Sequence, residues 1–202
     1  MSGRRRKSRE LALQLLYQND LAGTEPEEMF LRTEEYSGAR PDVTLDTSSG
    51  ALRISQNSDF GLFQSRHFAL DLQISSSVRW DVTVNTGTAA DSFNLSNINL
   101  GSLDINTGAS REDITLGLPK GQVPITINGG ALSVYLHRPA GAEASVQVTG
   151  GAVSLAGDGR QQHGIGNESW QSGGYDNAAD AYRVEVNGGA CTVTMDANSP
   201  PG

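Results

Sequence analysis

Hydrophobic and polar residues alternate along most of the chain, and the alternating runs end in similar corners. From residue 42 onward, apolar residues recur at every second position, which is the spacing of one face of a strand. The corners are Asn85-Thr86-Gly87, Asn106-Thr107-Gly108, Asn128-Gly129-Gly130, Thr149-Gly150-Gly151 and Asn187-Gly188-Gly189. Their first residues are 21, 22, 21 and 38 positions apart. This near-constant spacing indicates repeated structural units that stack on one another.

An apolar pair precedes each corner, and a second apolar row follows it. The pairs before the corners are Val82/Val84, Leu103/Ile105, Ile125/Ile127, Val146/Val148 and Val184/Val186. After the corner, Leu132, Val153 and Cys191 occupy the same position in their copies, so Cys191 is predicted to be a small core residue. In the first two copies the apolar pair comes later, which predicts extra residues in those turns.

The period of 21 to 22 residues is typical of one rung of a β-solenoid. We therefore predict an all-β, single-domain β-solenoid, preceded by one or two short α-helices. Gly and Asn at the corners are attributed to positive φ angles in sharp turns. A β-sandwich also uses short strands, but the in-phase corners favour the solenoid.

The helices are predicted from the first 33 residues. Leu11 and Leu15, with neighbouring apolar residues, recur at helical spacing within 8–21, and Gly23 stands where a helix would end. Thr24-Glu25-Pro26-Glu27 has the pattern that starts a second helix.

The predicted organisation has four parts. Residues 1–33 form a basic helical segment, residues 34–41 a linker, residues 42–196 the solenoid, and residues 197–202 a disordered tail. The long gap between the last two corners predicts an excursion at 157–182. Its aromatic residues Trp170, Tyr175 and Tyr182 are candidates for a partner-binding loop, and the alternative is a cap that protects the end of the solenoid.

Charge is divided unevenly along the chain, whose formal net charge is -8. From residue 34 onward, nine Lys and Arg accompany eighteen Asp and Glu, which argues against nucleic-acid binding by the body. The first nine residues are basic and contain the candidate RNA-binding side chains Arg4, Arg5, Arg6, Lys7 and Arg9. RNA is thus a candidate partner through residues 3–9 only.

The sequence offers little catalytic or cofactor chemistry. His67, His137 and His163 lie in unrelated contexts, and the lone Cys191 excludes a disulfide framework. The adjacent carboxylates Glu112 and Asp113 point to opposite faces of a strand and are predicted to be a solvated corner. No phosphate-binding loop is present. We therefore predict no enzyme activity, no metal and no cofactor.

The repeated body resembles the soluble domain of LiaF-type and toast-rack bacterial proteins, and related adhesin-like domains. The stretches that carry the resemblance are 80–87, 100–109, 127–131, 175–178 and 186–193. The resemblance implies a non-catalytic structural or protein-interaction module linked to cell-envelope stress. Together with the repeats, it predicts a protein partner that binds a flat strand face or the excursion at 157–182. Proteins of this kind usually carry membrane helices before the domain, and this chain has no apolar run of that length. A cytoplasmic location is expected, with envelope association through a partner as the other possibility.

Residues 3–33 resemble the opening of the bacterial NusB antitermination factors. The resemblance rests on the stretch Gly3 to Gln18 and on the segment that starts the next predicted helix. In that family the basic N-terminal residues help to bind the boxA element of RNA together with a ribosomal protein. The resemblance implies an alternative function, RNA binding related to transcription antitermination.

Overall fold

A computed structural model describes the backbone of five strands between residues 10 and 73, then residues 76–77 and 79–198. Side chains are described for residues 76–77, 79–87 and 90–197. The chain divides into two compact units, residues 1–75 and 76–202. The domain boundaries predicted from the sequence stay predictions.

The first unit contains strands where helices were predicted, so that prediction is wrong for the described segments. Strand β1 (Glu10–Leu15) pairs antiparallel with β2 (Glu27–Glu35), and β2 also pairs antiparallel with β5 (Phe68–Gln73). The leucines at 11, 13 and 15 fit a period of two as well as they fit a helix, because a short apolar run satisfies both periods. The rest of the predicted helices lies outside the described residues.

The first unit also contains a hairpin. Strand β3 (Asp42–Asp46) pairs antiparallel with β4 (Ala51–Ser55). Residues 42–55 therefore do not form a parallel rung, and the parallel stack that the structure describes starts at Arg79.

The second unit contains nine strands in one bent sheet. They are β6 (Arg79–Asn85), β7 (Thr88–Leu95), β8 (Asn99–Asn106), β9 (Ala109–Leu116), β10 (Gln122–Asn128), β11 (Ala131–Pro139), β12 (Glu143–Gly157), β13 (Arg160–Gln171) and β14 (Ala181–Asn198). Each rung has a first leg before the corner and a second leg after it. Strands β12 and β14 run through their corners and supply both legs. The predicted all-β solenoid is confirmed.

The order of the rungs in space differs from their order in the sequence. The first legs stack as β6, β8, β10, β14 and β12, and the second legs as β7, β9, β11, β14 and β12, with every pairing parallel. The last strand in the sequence therefore lies between the third and fourth copies. Strand β13 then pairs antiparallel along β12 at the end of the sheet.

The inward residues of successive rungs form columns in register. On the first legs, Leu103, Ile125, Val184 and the residues paired with them form one column, as the sequence predicted. Both legs contribute to a single apolar cluster, so the core lies between them. Cys191 pairs with Leu132 and Val153 and is 3% exposed, which confirms its predicted place in the core.

The first two copies contain no extra residues in their turns, so that prediction is wrong. Phe93, Ile114 and Leu136 are in register with one another, and the corners before them are also aligned. The apolar pattern starts late because Asp91 and Glu112 occupy inward positions that Val134 occupies in the third rung.

Close stacking explains the corner glycines other than Gly87, and none of the corner glycines has a positive φ. The amide of Gly108 donates to the carbonyl oxygen of Gly87 at 2.6 Å, and the contact repeats from Gly130 to Gly108 and from Gly189 to Gly130. A Cβ atom added to Gly108 would lie 2.6 Å from the oxygen of Gly87, so a side chain does not fit there. The attribution of these glycines to positive φ is therefore wrong.

Asparagine side chains add a second ladder at the same corners. The Nδ2 of Asn106 donates to Asn85 at 3.2 Å, that of Asn128 to Asn106 at 3.0 Å, and that of Asn187 to Asn128 at 3.1 Å. The ladder follows the order of the rungs in space, with Asn187 next to Asn128 despite their separation in sequence. The amides thus stabilise the same register as the glycine contacts.

A tight turn and a tethered connection return the chain into the sheet. Asp158 and Gly159 both have positive φ (44° and 80°), as in the two-residue turns that join antiparallel strands. After β13, the 3₁₀ turn Tyr175–Asn177 leads back toward β14. This connection is held by Gln122, whose Nε2 donates to the carbonyl oxygen of Ala178 at 2.9 Å, and by Asp180, which accepts from the amide of Gly121 at 2.5 Å.

The corner packing predicts unequal effects for two glycine substitutions. We expect Gly108→Ala to lower the free energy of unfolding by about 2 kcal/mol, because its Cβ would overlap the backbone of the neighbouring rung. Gly87→Ala is the matched control, since its Cβ would meet nothing within 4 Å, and we expect a change within about 0.5 kcal/mol. Urea denaturation of both variants measures this. Equal effects would contradict the stacking explanation.

Candidate protein-interaction surface

The outer face of the second legs carries a group of charged and aromatic side chains, which we call the outer patch. It consists of Arg111, Asp113, Tyr135, His137 and Asp196. Alternation along β9, β11 and β14 turns these residues away from the core. The Arg111 guanidinium lies 4.7 Å from the centre of the Tyr135 ring, which is a cation–π contact. The patch therefore combines a fixed aromatic ring with side chains of both charges.

His137 lies between the two carboxylates of the outer patch. Its Nδ1 is 2.8 Å from Oδ1 of Asp196, and its Nε2 is 3.5 Å from Oδ1 of Asp113. The side chain of His137 is 25% exposed, and both carboxylates are close to half exposed. Hydrogen bonding to Asp196 fixes the imidazole, so this part of the patch has a defined shape. The sequence showed each residue separately but not the strand order that brings Asp196 next to His137.

The three aromatic residues predicted to bind a partner through the excursion do not form one exposed site. Trp170 is 7% exposed and Tyr182 is 2% exposed, and both belong to the core cluster. The hydroxyl of Tyr182 donates to the carbonyl oxygen of Gly117 at 2.9 Å, and burial raises its pKa to about 12. Tyr175 lies half-buried in the 3₁₀ turn. The burial of Trp170 on β13 is what the alternative, an end cap, requires, whereas Tyr182 lies on β14 inside the stack.

A buried arginine, which the sequence analysis did not single out, holds this end of the core together. Arg138 is 5% exposed, and its Nη1 donates to the carbonyl oxygen of Ala142 at 2.5 Å. Its Nη2 forms an ion pair with Asp158 at 2.5 Å, and its guanidinium lies 5.7 Å from the centre of the Trp170 ring. The Asp158 turn and Trp170 are thereby fixed to β11.

The N-terminal basic residues Arg4, Arg5, Arg6, Lys7 and Arg9 lie outside the described residues, so RNA binding through them stays a prediction. His67 also lies outside them, and His163 is exposed on β13. In the part of the chain that the structure describes, no helix is long and apolar enough to cross a membrane.

Candidate reactive groups in the described part of the chain are dispersed. Within that part, no three side chains of His, Cys, Asp or Glu are arranged as a metal-binding group. Cys191 is buried, and desolvation by burial raises the pKa of its thiol, which disfavours the nucleophilic thiolate.

Glu112 is in the interior, so the prediction of a solvated carboxylate pair is wrong. Its side chain is 0% exposed, whereas Asp113 lies on the outer face. Asp91 on β7 is in register with Glu112, and Val134 occupies the same position on β11. Burial raises the pKa of Glu112, the nearby Ser110 hydroxyl lowers it, and the carboxylate of Asp91 raises it. Burial raises the pKa of Asp91 as well.

Comparisons with known proteins agree with this fold. The structure is similar to the crystal structure of a "putative cell adhesion protein" from Clostridium sporogenes ATCC 15579, with a TM-score of 0.71 and 16% sequence identity. The match covers 95% of this chain and 100% of that chain. At this identity the likeness shows a shared fold. The search of curated proteins finds no match.

The fold defines a β-solenoid of the toast-rack class. The family model described as the N-terminal domain of toast_rack, DUF2154, matches residues 30–137, which is more than half of the chain. The chain belongs to this family, and the predicted toast-rack resemblance is confirmed. The family and the fold support a non-catalytic structural module. No comparison supports the resemblance to NusB.

The burial of Glu112 predicts that the protein loses stability as the pH rises, when the buffer contains no divalent cations. Glu112 stays protonated to a higher pH in the folded protein than in the unfolded chain. The stability of the fold therefore decreases as the pH rises above the ordinary range of a Glu carboxyl. We expect Glu112→Gln to be more stable than the parent protein at pH 8, by about 1 kcal/mol or more, and this advantage should vanish near pH 4. Urea denaturation across this range measures the difference. An advantage that does not change with pH would contradict the assignment.

Proposed function

We propose that this protein is a non-catalytic protein-interaction module of the bacterial cell-envelope stress type, and that it binds a protein partner through the outer patch. The observation that carries this proposal is the Arg111–Tyr135 pair, fixed on the outer face beside the Asp113–His137–Asp196 group. Tyr and Arg are the residue types that most often dominate protein–protein binding energy. Of the two surfaces predicted from the sequence, a strand face and the excursion, the proposal takes the strand face.

The rigidity of this face supports the proposal. Tyr135 lies on β11, which pairs with β9 on one side and β14 on the other. Strands bonded on both sides do not reorder on binding, so little conformational entropy is lost when a partner docks. By contrast, the excursion uses Trp170 and Tyr182 in the core, where a partner would have to displace them.

The envelope-stress assignment is supported by family membership. We further propose that the protein reaches the envelope through its partner. The partner is therefore expected to be a protein of the envelope or one bound to it.

Site-specific photo-crosslinking in bacteria that produce the full chain tests the proposed surface. A photoreactive residue at Thr192, which is exposed and lies beside the patch, should form a discrete adduct with an envelope protein. The matched control position is Gln147, which is exposed on the outer face of a first leg. We expect no adduct from that position.

A second substitution makes the result specific. We expect Tyr135→Ala to abolish the adduct formed from Thr192, because removal of a central aromatic residue weakens binding by about 30-fold or more. Circular dichroism and urea denaturation establish that the variant is folded. Adducts of equal yield from both positions, or an adduct that persists in Tyr135→Ala, would contradict the proposal.

A further inference from the structure

Unpartnered buried oxygen atoms are concentrated in the first two rungs of the described stack. In the described part of the chain, six buried side-chain polar atoms lack a hydrogen-bond partner. Five of them are oxygens, on Thr86, Asp91, Ser110 and Glu112, and the sixth is a nitrogen of Arg138. Buried polar atoms in folded proteins are normally paired, so a local concentration of oxygens requires an explanation.

Three of these residues lie together on the inner face of the second legs. Asp91 and Glu112 are directly in register on the adjacent parallel strands β7 and β9, whose backbones are about 4.8 Å apart. Ser110 precedes Glu112 by two positions and therefore points to the same face. Glu112 is 0% exposed, and neither of its carboxylate oxygens has a partner with hydrogen-bond geometry, although the Ser110 hydroxyl is near enough to lower the pKa of this carboxyl.

No positive side chain compensates this group among the described residues. The ion pairs there involve His137, Arg138 and Arg183, and none of them includes Asp91 or Glu112. In the third and fourth rungs of the stack, Val134 and Val193 occupy the place of Glu112. The polar group is therefore confined to the first two rungs, and the buried Glu112 beside the half-buried Asp91 requires a proton or a cation there.

The oxygen atoms of this group are the ligand type that a hard cation prefers. A proton shared between the carboxyls, with a hydrogen bond from the Ser110 hydroxyl, is the competing arrangement. A hard divalent cation such as Ca²⁺ takes 6–8 oxygen ligands and accepts carboxylates together with neutral oxygens. All the buried atoms without a partner in these two rungs are oxygens, and the carboxylates of Asp91 and Glu112 supply negative charge.

We propose that Asp91, Ser110 and Glu112 form an interior binding site for a divalent cation of the Ca²⁺ class. The cation would join β7 to β9 by bridging the two carboxylates, and it would neutralise the charge buried between the legs. This site is separate from the outer patch and does not depend on the proposed partner.

Thermal unfolding of the full chain at pH 7.5 tests the site, with Ca²⁺ added to protein first stripped with a chelator that is then removed. We expect a saturable rise in Tm of about 5 °C or more at Ca²⁺ concentrations well above its Kd. Mg²⁺ at the same concentration tests selectivity, and NaCl at matched ionic strength tests screening. Calorimetric titration with Ca²⁺ should give one site per chain.

Variants separate site binding from general stabilisation. We expect Glu112→Gln and Asp91→Asn to lose the rise in Tm and the calorimetric signal, whereas Glu185→Gln, on the outer face of β14, should keep both. Glu112→Val reproduces the residue found in the third rung and should fold without responding to Ca²⁺. A rise that persists in Glu112→Gln would overturn the proposal. So would the absence of a rise in the parent protein together with stabilisation by acid, which would indicate a shared proton.

Discussion

The structure of the second unit depends on how closely its corners stack. Glycine amides and carbonyls of successive rungs form hydrogen bonds at Gly87, Gly108, Gly130 and Gly189, with no space for a side chain at the last three. The asparagine ladder repeats the same contacts in side chains. Since both ladders fix the corners at one level, the residues before and after each corner are held in register. That register aligns the inward residues of successive rungs in columns, and it aligns their outward residues in the same way.

The close stacking of the corners also allows the last strand to lie in the middle of the stack. The Asn187-Gly188-Gly189 corner lies between the third and fourth copies, where its amide side chain bonds to Asn128. The antiparallel strand β13 and the tethered connection after it return the chain to this place. This strand order shapes the outer patch, because Asp196 lies next to His137 only when β14 lies beside β11.

The sequence predicted the features that repeat and missed those that depend on pairing between distant segments. Periodic apolar pairs identified the solenoid and placed Cys191 in the core. The spacing of the corners along the sequence could not reveal the order of the rungs in space, because the Asn187 corner is similar to several others and could stack on any of them. Short apolar runs near Leu11 satisfied both a helix and a strand. Glu112 appeared solvated because charged residues are normally exposed, although it lies two positions before the inward Ile114 and so shares its face of the strand. The register with Asp91 and Val134 shows it facing inward.

Engineered disulfides test the order of the rungs most directly. Thr126 and Glu185 face outward on adjacent strands, so their cysteine replacements, with Cys191→Ala, should form a disulfide within the Cα separation that such a bond requires. Thr126 and Gln147 lie on strands separated by β14, about 9.6 Å apart, and their replacements should stay reduced. Mass spectrometry of the oxidised proteins reports both. A disulfide between positions 126 and 147, with none between 126 and 185, would show sequential stacking and contradict this account.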